Sequence, residues 1–374
     1  SIGTWWKLIL RTPVEEAPEV YPYAQYMAWY GDPASFTVAR IGAIFGLLNG
    51  TSYIPIALMF AFFSYTGIWA MYRTFVKIYP TLYKELAVAF LFIPSTFVWG
   101  SAIFKDTVCM FALGWLTYCT FRIFVNKDFS FKNIFLLCFS FYLLAVIKIY
   151  ILIAFLPALT VWLLLTYSHR IKSAGMRFLL KIGIGVLVIV GFLFFSRVFS
   201  RQLERYSLEN IAKTSMATRN WITYATIIRD EQGSTYDLGE FDPSFGGMIK
   251  KFPQAVVVTL FRPFPWEARK VIVMLSALEA LIFLFFTIKA FAKNGLSNSF
   301  RFISRDPNLF FCLVFTLIFA FAVGISSYNF GALSRYKIPC LPFFGAFLII
   351  LLNYKKINPA ATQVKSSRKV PALA

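Results

Sequence analysis

Long apolar runs constrain this chain more than any other feature of its sequence. Several reach about 20 residues, the length of helix that crosses roughly 30 Å of hydrocarbon, and 59% of all residues are hydrophobic. Charged residues make up only 14% of the chain, whereas a soluble domain carries about 25%. Because so few charged side chains are available to keep the surface of the protein in water, we expect lipid to cover most of that surface. The sequence therefore predicts an all-α, polytopic integral membrane protein.

The breaks between apolar runs predict about nine transmembrane helices. The fourth and fifth form one long run that Lys148 interrupts. With nine spans and a cytoplasmic tail, Ser1 falls on the outer side, so we expect a further membrane helix to precede it. The predicted spans are Ser52–Tyr72, Leu86–Phe104, Thr107–Phe124, Asn133–Ile147, Ile151–Thr166, Leu179–Phe199, Val271–Phe291, Asn308–Tyr328 and Ile338–Leu352.

Basic residues predict the orientation of these spans. Lysines and arginines gather in alternate short loops and in the tail, which the positive-inside rule places in the cytoplasm. The formal charge of +20 then reflects orientation and contact with lipid headgroups rather than nucleic acid. Ser200–Ile227 is predicted to form an amphipathic helix at the outer surface. The predicted organisation is an outer-face N-terminal loop and amphipathic segment (1–51), six membrane helices (52–199), a large outer-face loop (200–270), three membrane helices (271–353) and a basic cytoplasmic tail (354–374).

Charged side chains in or beside the apolar runs are candidates for function, because a charge in the bilayer is costly. Lys105 and Asp106 lie in the outer turn after the second span. In the functional interpretation, Lys105 binds an anionic headgroup and Asp106 holds Lys105 or a neighbouring arginine in place. In the alternative interpretation, Asp106 is the N-cap of the next helix. Lys148 either contacts a phosphate or extends to the interface. Glu279, inside the seventh span, is expected to be protonated or matched to a cation, for structure or for function.

Arginines are frequent on the predicted outer face, and guanidinium groups bind phosphate oxygens in pairs. Arg262 and Arg269 flank a Pro-Phe-Pro-Trp-Glu stretch, and Arg335 precedes the last span, beside Tyr336. Such a set suits a phosphate or pyrophosphate linked to a lipid, with attraction to anionic lipid surfaces as the alternative. Further arginines of the large loop would add to this field, namely Arg201, Arg205, Arg219 and Arg229.

The N-terminal loop carries the acidic candidates Glu15, Glu16 and Asp32. Carboxylates on the outer face can take a proton from a sugar hydroxyl, or they can form a solvated acidic loop. The single histidine, His169, and five separated cysteines offer no pattern of metal ligands. We therefore expect no cofactor, with a divalent cation as the alternative.

Three segments carry a resemblance to known families. Glu15-Glu16-Ala17, followed by a Tyr-x-x-Ala-x-x-Met-x-x-x-Gly-Asp run, resembles the first outer loop of GT-C superfamily glycosyltransferases. The segment Arg-Tyr-Lys-Ile-Pro-Cys-Leu-Pro that begins at Arg335 is similar to one in their polyprenyl-phosphate-sugar branch. Leu-Phe-Arg-Pro-Phe-Pro-Trp-Glu, which begins at Leu260, is similar to bacterial envelope-polysaccharide membrane proteins. In this chain Pro18 and Glu19 displace the acidic pair from the usual spacing.

The resemblance implies a membrane glycosyltransferase of the cell envelope, with its active face on the periplasmic or extracellular side of the bacterial inner membrane. Its partners would be a polyprenyl-linked sugar donor, a glycan or lipid acceptor and membrane lipids. Glu15 or Glu16, with Asp32 in reserve, would act as the base, and Lys105, Arg262 and Arg335 would neutralise the leaving phosphate. The alternatives are a polysaccharide polymerase or ligase, a flippase or transporter of lipid-linked glycans, and a structural subunit of an envelope or secretion complex.

Overall fold

The computed structural model describes residues 2–27, 29–49, 52–168, 224, 235–239 and 245–357. Within these residues the secondary structure is helical, apart from one isolated bridge between Thr235 and Asn329. Several predictions lie outside the described residues: the span Leu179–Phe199, all but Tyr224 of the surface helix Ser200–Ile227, most of the basic tail, His169, Arg201, Arg205, Arg219 and Arg229.

Five helices of the described residues are long and apolar enough to cross a membrane. A sixth candidate consists of the helices Phe330–Tyr336 and Leu341–Ile357, which are bent by 69° at the break between them. The chain is therefore an α-helical, multi-pass membrane protein. The five helices are Tyr53–Ile78, Lys105–Phe124, Ile149–Tyr167, Val271–Asn294 and Pro307–Ser327.

The helices belong to two compact units. The first unit comprises Ser1–Met71 and Val98–Leu152, and the second comprises Tyr72–Phe97 and Ile153–Ala374. In chain order the described α-helices are α1 (Ile2–Leu10), α2 (Tyr21–Ala24), α3 (Pro33–Asn49), α4 (Tyr53–Ile78), α5 (Tyr83–Leu91), α6 (Pro94–Trp99), α7 (Lys105–Phe124), α8 (Phe131–Ile147), α9 (Ile149–Ser168), α10 (Phe245–Lys250), α11 (Phe252–Phe261), α12 (Val271–Asn294), α13 (Leu296–Arg305), α14 (Pro307–Ser327), α15 (Phe330–Tyr336) and α16 (Leu341–Ile357).

In the first unit, α7 packs against α8, α3 and the N-terminal part of α4. The contact with α4 depends on Gly67 and Gly114, whose backbones approach so closely that a Cβ on either would overlap the other helix. Small residues allow this kind of approach between membrane helices. The rings of Phe63 and Phe111 stack beside it, with centroids 3.7 Å apart. Interhelical packing thus fixes the start of α7, which carries Lys105 and Asp106.

In the second unit, α16 forms much of the core and packs against α5, α12 and α14. Phe315 of α14 and Phe343 of α16 are both fully buried, and their ring centroids lie 4.7 Å apart. On another side of α14, the hydroxyl of Thr259 donates to the carbonyl of Ala320 over 2.8 Å. The aromatic contact and this hydrogen bond thus hold α11, α14 and α16 together in the second unit.

Prolines break two helices of the second unit that the sequence predicted differently. The predicted span Leu86–Phe104 is not continuous, since α5 ends at Leu91 and α6 begins at Pro94. Proline has no N–H to donate and disfavours helical geometry at the residue before it, here Ile93. The last predicted span, Ile338–Leu352, becomes helical only at Leu341, after the segment that contains Pro339.

The first unit holds a helix that the sequence missed and a break that it predicted. The segment Pro33–Asn49 was assigned to an N-terminal loop, but it forms the 17-residue helix α3. Its apolar run is shorter than a full span, which is why it escaped detection. The break at Lys148 is confirmed, since α8 ends at Ile147 and α9 begins at Ile149.

Candidate functional site

Four of the predicted site residues meet in the first unit. Lys105 donates a hydrogen bond of 2.8 Å to Asp32, and Lys148 forms an ion pair with Asp106. Lys105 and Asp106 are neighbours in the first turn of α7. The loop before α3, the start of α7 and the break between α8 and α9 thus contribute two ion pairs that are adjacent at the first turn of α7. We call Asp32, Lys105, Asp106 and Lys148 the charge cluster.

Asp32 is held in place by the start of α3. Pro33 occupies the first helical position, where its missing N–H costs nothing. The carboxylate of Asp32 accepts hydrogen bonds of 3.2 Å from the backbone N–H groups of Ala34 and Ser35, and the hydroxyl of Ser35 donates to it as well. Asp32 therefore acts as an N-cap, which fixes the carboxylate that faces Lys105.

Asp32 is ionised over a wide pH range. Burial alone would raise the pKa of its carboxyl, but hydrogen bonds from Lys105 and Ser35 and the charge of Lys105 outweigh burial and lower the pKa to about 2. The side chains of Asp32 and Lys105 remain 38% and 31% exposed. A ligand can therefore reach both charges of this pair.

The second ion pair of the charge cluster is buried. The side chain of Asp106 is fully enclosed and that of Lys148 is 7% exposed. The interpretation of Asp106 as an N-cap was wrong, because α7 begins one residue earlier and Phe104 occupies the N-cap position. Lys148 does not extend to the interface, because its ammonium turns inward to Asp106. The buried pair joins α7 to the break between α8 and α9.

The other acidic candidates lie in the N-terminal segment of the first unit. Glu15 and Glu16 are exposed on the turn between α1 and α2. In the same segment, Glu19 forms an ion pair with Lys7 of α1. The hydrogen bond from Lys7 lowers the pKa of Glu19. The structure therefore brings Asp32, rather than Glu15 or Glu16, next to a predicted cation.

The arginine candidates belong to the second unit. Arg262 forms two hydrogen bonds with Glu267, one of which measures 3.1 Å from Nε to Oε2, and its guanidinium lies 5.2 Å from the centroid of the Phe330 ring. Arg269 is exposed, Arg335 is half-buried in α15, and Tyr336 is 38% exposed. Since Lys105 belongs to the first unit, the predicted convergence of Lys105, Arg262 and Arg335 on one phosphate stays a prediction.

Glu279 is buried on α12 and accepts a hydrogen bond of 2.7 Å from the backbone N–H of Ser95. The charge of Lys337 lies near enough to interact with it, and Lys337 is fully buried. Sequence reasoning named Lys337 only as part of a motif. Lys337 could have been recognised as a candidate from its position just before an apolar helix, because a charged side chain there must be buried or reach the interface.

No group of three or more His, Cys, Asp and Glu side chains that could hold a metal ion occurs among the described residues. The charge cluster has instead two carboxylates and two ammonium groups. Such a set can bind a phosphate through the accessible ammonium of Lys105 and take a proton through the accessible carboxylate of Asp32.

Comparisons with known proteins do not identify this chain, since no family model, curated protein or solved structure matches it.

Proposed function

We propose that the chain is an inverting membrane glycosyltransferase of the GT-C type. It would transfer a sugar or glycan from a polyprenyl-phosphate or polyprenyl-pyrophosphate donor to a glycan or lipid acceptor, at the outer face of a bacterial cytoplasmic membrane. The pairing of Asp32 with Lys105 carries this proposal. A carboxylate that accepts a proton and an ammonium that neutralises a phosphate are the two charges that this transfer requires.

In the proposed reaction, the acceptor hydroxyl oxygen attacks the anomeric carbon of the donor sugar, and its proton passes to Asp32. The bond from the anomeric carbon to the phosphate oxygen breaks, and its electron pair leaves with the lipid phosphate. Lys105 neutralises the charge that builds up on this phosphate. Asp32 is preferred to Glu15 and Glu16 as the base because a cation already adjoins it.

Lys105 would also control the strength of the base. While Lys105 is bonded to Asp32, the carboxylate is a weak base with a pKa of about 2. If Lys105 moves toward the donor phosphate, Asp32 loses the hydrogen bond and the charge that lower its pKa. Donor binding would thus strengthen the base at the time when the proton is transferred.

The remaining cations are proposed to bind the donor. Arg335, beside Tyr336, and Arg269 would contact the lipid phosphate or pyrophosphate. Arg262 has committed two of its N–H groups to Glu267, so it would contribute through its remaining donors. An Arg335→Ala change would chiefly weaken donor binding, because the charge cluster of the first unit is left unchanged.

For the membrane topology, we propose the nine spans predicted from the sequence. Five of these spans are the five long helices, and the other four would be the interrupted pair α5 and α6, the helices α8 and α16, and the predicted span Leu179–Phe199. The Gly100–Asp106 turn and the large loop would then face outward, together with the charge cluster. A donor carried on the outer leaflet could reach Asp32 and Lys105 from that side.

Transport of a lipid-linked glycan is the second candidate, and one observation favours it. Two helices of the second unit are interrupted, between α5 and α6 and between α15 and α16, and interrupted helices often form the substrate sites of transporters. The chemistry of the charge cluster is not needed for transport. For this reason we rank transfer first.

A reconstituted assay separates the two functions. The purified full chain is inserted into proteoliposomes, and a polyprenyl-phosphate sugar and a glycan acceptor are added on the side where Ser101 is exposed. A glycosyltransferase forms a new glycosidic bond with this donor. Movement of the donor across the bilayer without any product would refute the proposed function and favour the transporter.

A further inference from the structure

Two charged side chains are buried in the second unit without contacting each other. Glu279 of α12 is 3% exposed, and Lys337, between α15 and α16, is 0% exposed. Among the residues that the structure describes, Oε1 of Glu279 and Nζ of Lys337 have no hydrogen-bond partner. The two groups act on each other electrostatically but form no ion pair. Their charges therefore compensate each other only across a gap.

A gap of this kind is unfavourable if nothing fills it. Buried polar atoms in proteins are almost always hydrogen-bonded to protein or to ordered water. Separated charges in a low-dielectric interior lose their hydration without gaining a direct contact. The unsatisfied oxygen and the unsatisfied ammonium therefore each require a hydrogen-bond partner that the described residues do not supply.

The gap lies where two helices are interrupted. Ser95, whose N–H binds the other oxygen of Glu279, follows the break between α5 and α6, and Lys337 lies in the break between α15 and α16. Irregular backbone within a membrane protein is tolerated where it is buried in protein or lines a cavity. Several other buried hydroxyls have no hydrogen-bond partner within the described part of the chain, and two of them belong to the segments that carry Ser95 and Glu279. These are Thr96, next to Ser95, and Ser276, one helical turn before Glu279 on the same face.

The charges select the chemistry of the missing group. A cation would be repelled by the ammonium of Lys337, and an anion would be repelled by the carboxylate of Glu279. A neutral hydroxyl donates its hydrogen to Oε1 of Glu279 and accepts one from Nζ of Lys337, so it satisfies both atoms. The hydroxyls of Thr96 and Ser276 can donate to the same group or accept from it.

We propose that Glu279 and Lys337 form a buried site that binds one neutral hydroxyl group at the junction of the two interrupted helices. The hydroxyl belongs either to a bound sugar or lipid or to an enclosed water molecule. This site is independent of the charge cluster and of the glycosyltransferase reaction, because it uses other residues in the other unit.

An experimental structure of the full chain in nanodiscs made with extracted bacterial lipids, at a resolution that shows ordered water, tests the proposal. We expect density between Oε1 of Glu279 and Nζ of Lys337, within hydrogen-bond distance of both. Compact density identifies water, and density that continues into a sugar or lipid identifies a ligand. A direct ion pair between the two side chains, or an empty gap, overturns the proposal.

Variants test the coupling between the two charges in solution. Glu279→Gln and Lys337→Met should each lower the melting temperature, because each leaves one buried charge uncompensated. The double variant should recover most of that loss, whereas Glu85→Gln, a partly exposed control in the same unit, should have little effect. If the losses of the single variants simply add in the double variant, the two charges do not share a site. If a single variant fails to fold, the experimental structure of the wild-type protein still tests the proposal, through the density between Glu279 and Lys337.

Discussion

Asp32 accepts a hydrogen bond of 2.8 Å from Lys105, although 73 positions separate the two residues in the chain. The bond connects the N-cap of α3 to the first turn of α7. Both side chains are reachable from outside the fold, whereas the adjoining pair of Asp106 and Lys148 is enclosed. The first turn of α7 thus carries one accessible ion pair and one buried ion pair, and the accessible pair can present its charges to a ligand.

Replacing Lys105 with Met should move the acid limb of the pH–rate profile to higher pH. Lys105 lowers the pKa of Asp32 to about 2, so the wild-type carboxylate stays ionised until the medium is strongly acidic. Without the cation, only the hydrogen bonds from Ser35 oppose the effect of burial, so the pKa rises by about one to three. Because Lys105 is proposed to leave Asp32 when the donor binds, the shift is measured in kcat/KM for the donor as a function of pH, which reports the free enzyme. An acid limb at the same pH in both proteins would show that Asp32 is not the titrating base.

Removing one member of the buried pair should destabilise the first unit strongly. Lys148→Met leaves the carboxylate of Asp106 buried without its cationic partner, which costs about 3–5 kcal/mol. The double variant Asp106→Asn/Lys148→Met should recover much of this loss, because no charge then remains to be compensated. Thermal unfolding of the purified variants measures the effect. A double variant that is as unstable as the sum of the two singles would contradict it.

Gly114→Ala should separate α4 from α7. A Cβ at this position would overlap the backbone of Gly67, and overpacking of this kind costs about 1–3 kcal/mol. Gly46→Ala is the matched control, because Gly46 is also helical but its Cβ would meet only Ile56, at an ordinary 3.6 Å. Alanine is favoured over glycine in a helix by up to about 1 kcal/mol, so the control should be as stable as the wild type or more so. Equal melting temperatures for the two variants would exclude a tight helix contact.

The sequence predicted the class of fold well and the site only in part. The apolar runs identified α4, α7, α9, α12 and α14, because length and hydropathy are sufficient for a long apolar helix. Interrupted helices were harder to predict, because a hydropathy profile does not show the backbone hydrogen bond that Pro94 cannot donate. Helix α3 was missed because its run is too short to span on its own.

The charge cluster shows where sequence reasoning about the site stopped. Lys105, Asp106 and Lys148 were selected because they are charges in or beside apolar runs, but their pairing depends on which helices touch. Lys105 pairs with Asp32 and not with its neighbour Asp106, because adjacent residues of a helix point in different directions. Glu15 and Glu16 were chosen as candidate bases because of a motif along the chain. Asp32 is now preferred as the base, because α3 approaches α7 and brings Asp32 to Lys105.

The orientation of each unit can be tested by cysteine labelling with an impermeant reagent, in a background without the exposed Cys138. In the first unit, Ser101→Cys and Asn126→Cys lie on either side of α7. The positive-inside rule predicts that Ser101→Cys is labelled in intact cells and Asn126→Cys only after permeabilisation. In the second unit, Asp237→Cys and Ser297→Cys should differ in the same way. Equal labelling at both ends of α7 would refute the predicted orientation.

The most direct test of the proposed reaction is the rate of glycan transfer by Asp32→Asn in proteoliposomes. The amide keeps the shape of the carboxylate but cannot take the proton, so turnover should fall by about 10²–10⁴, while binding of the lipid donor persists. Glu19→Gln serves as the control, because Glu19 lies in the same N-terminal segment and pairs with Lys7 instead, and it should keep the wild-type rate. A wild-type rate of transfer in Asp32→Asn would contradict the role of this carboxylate as the base.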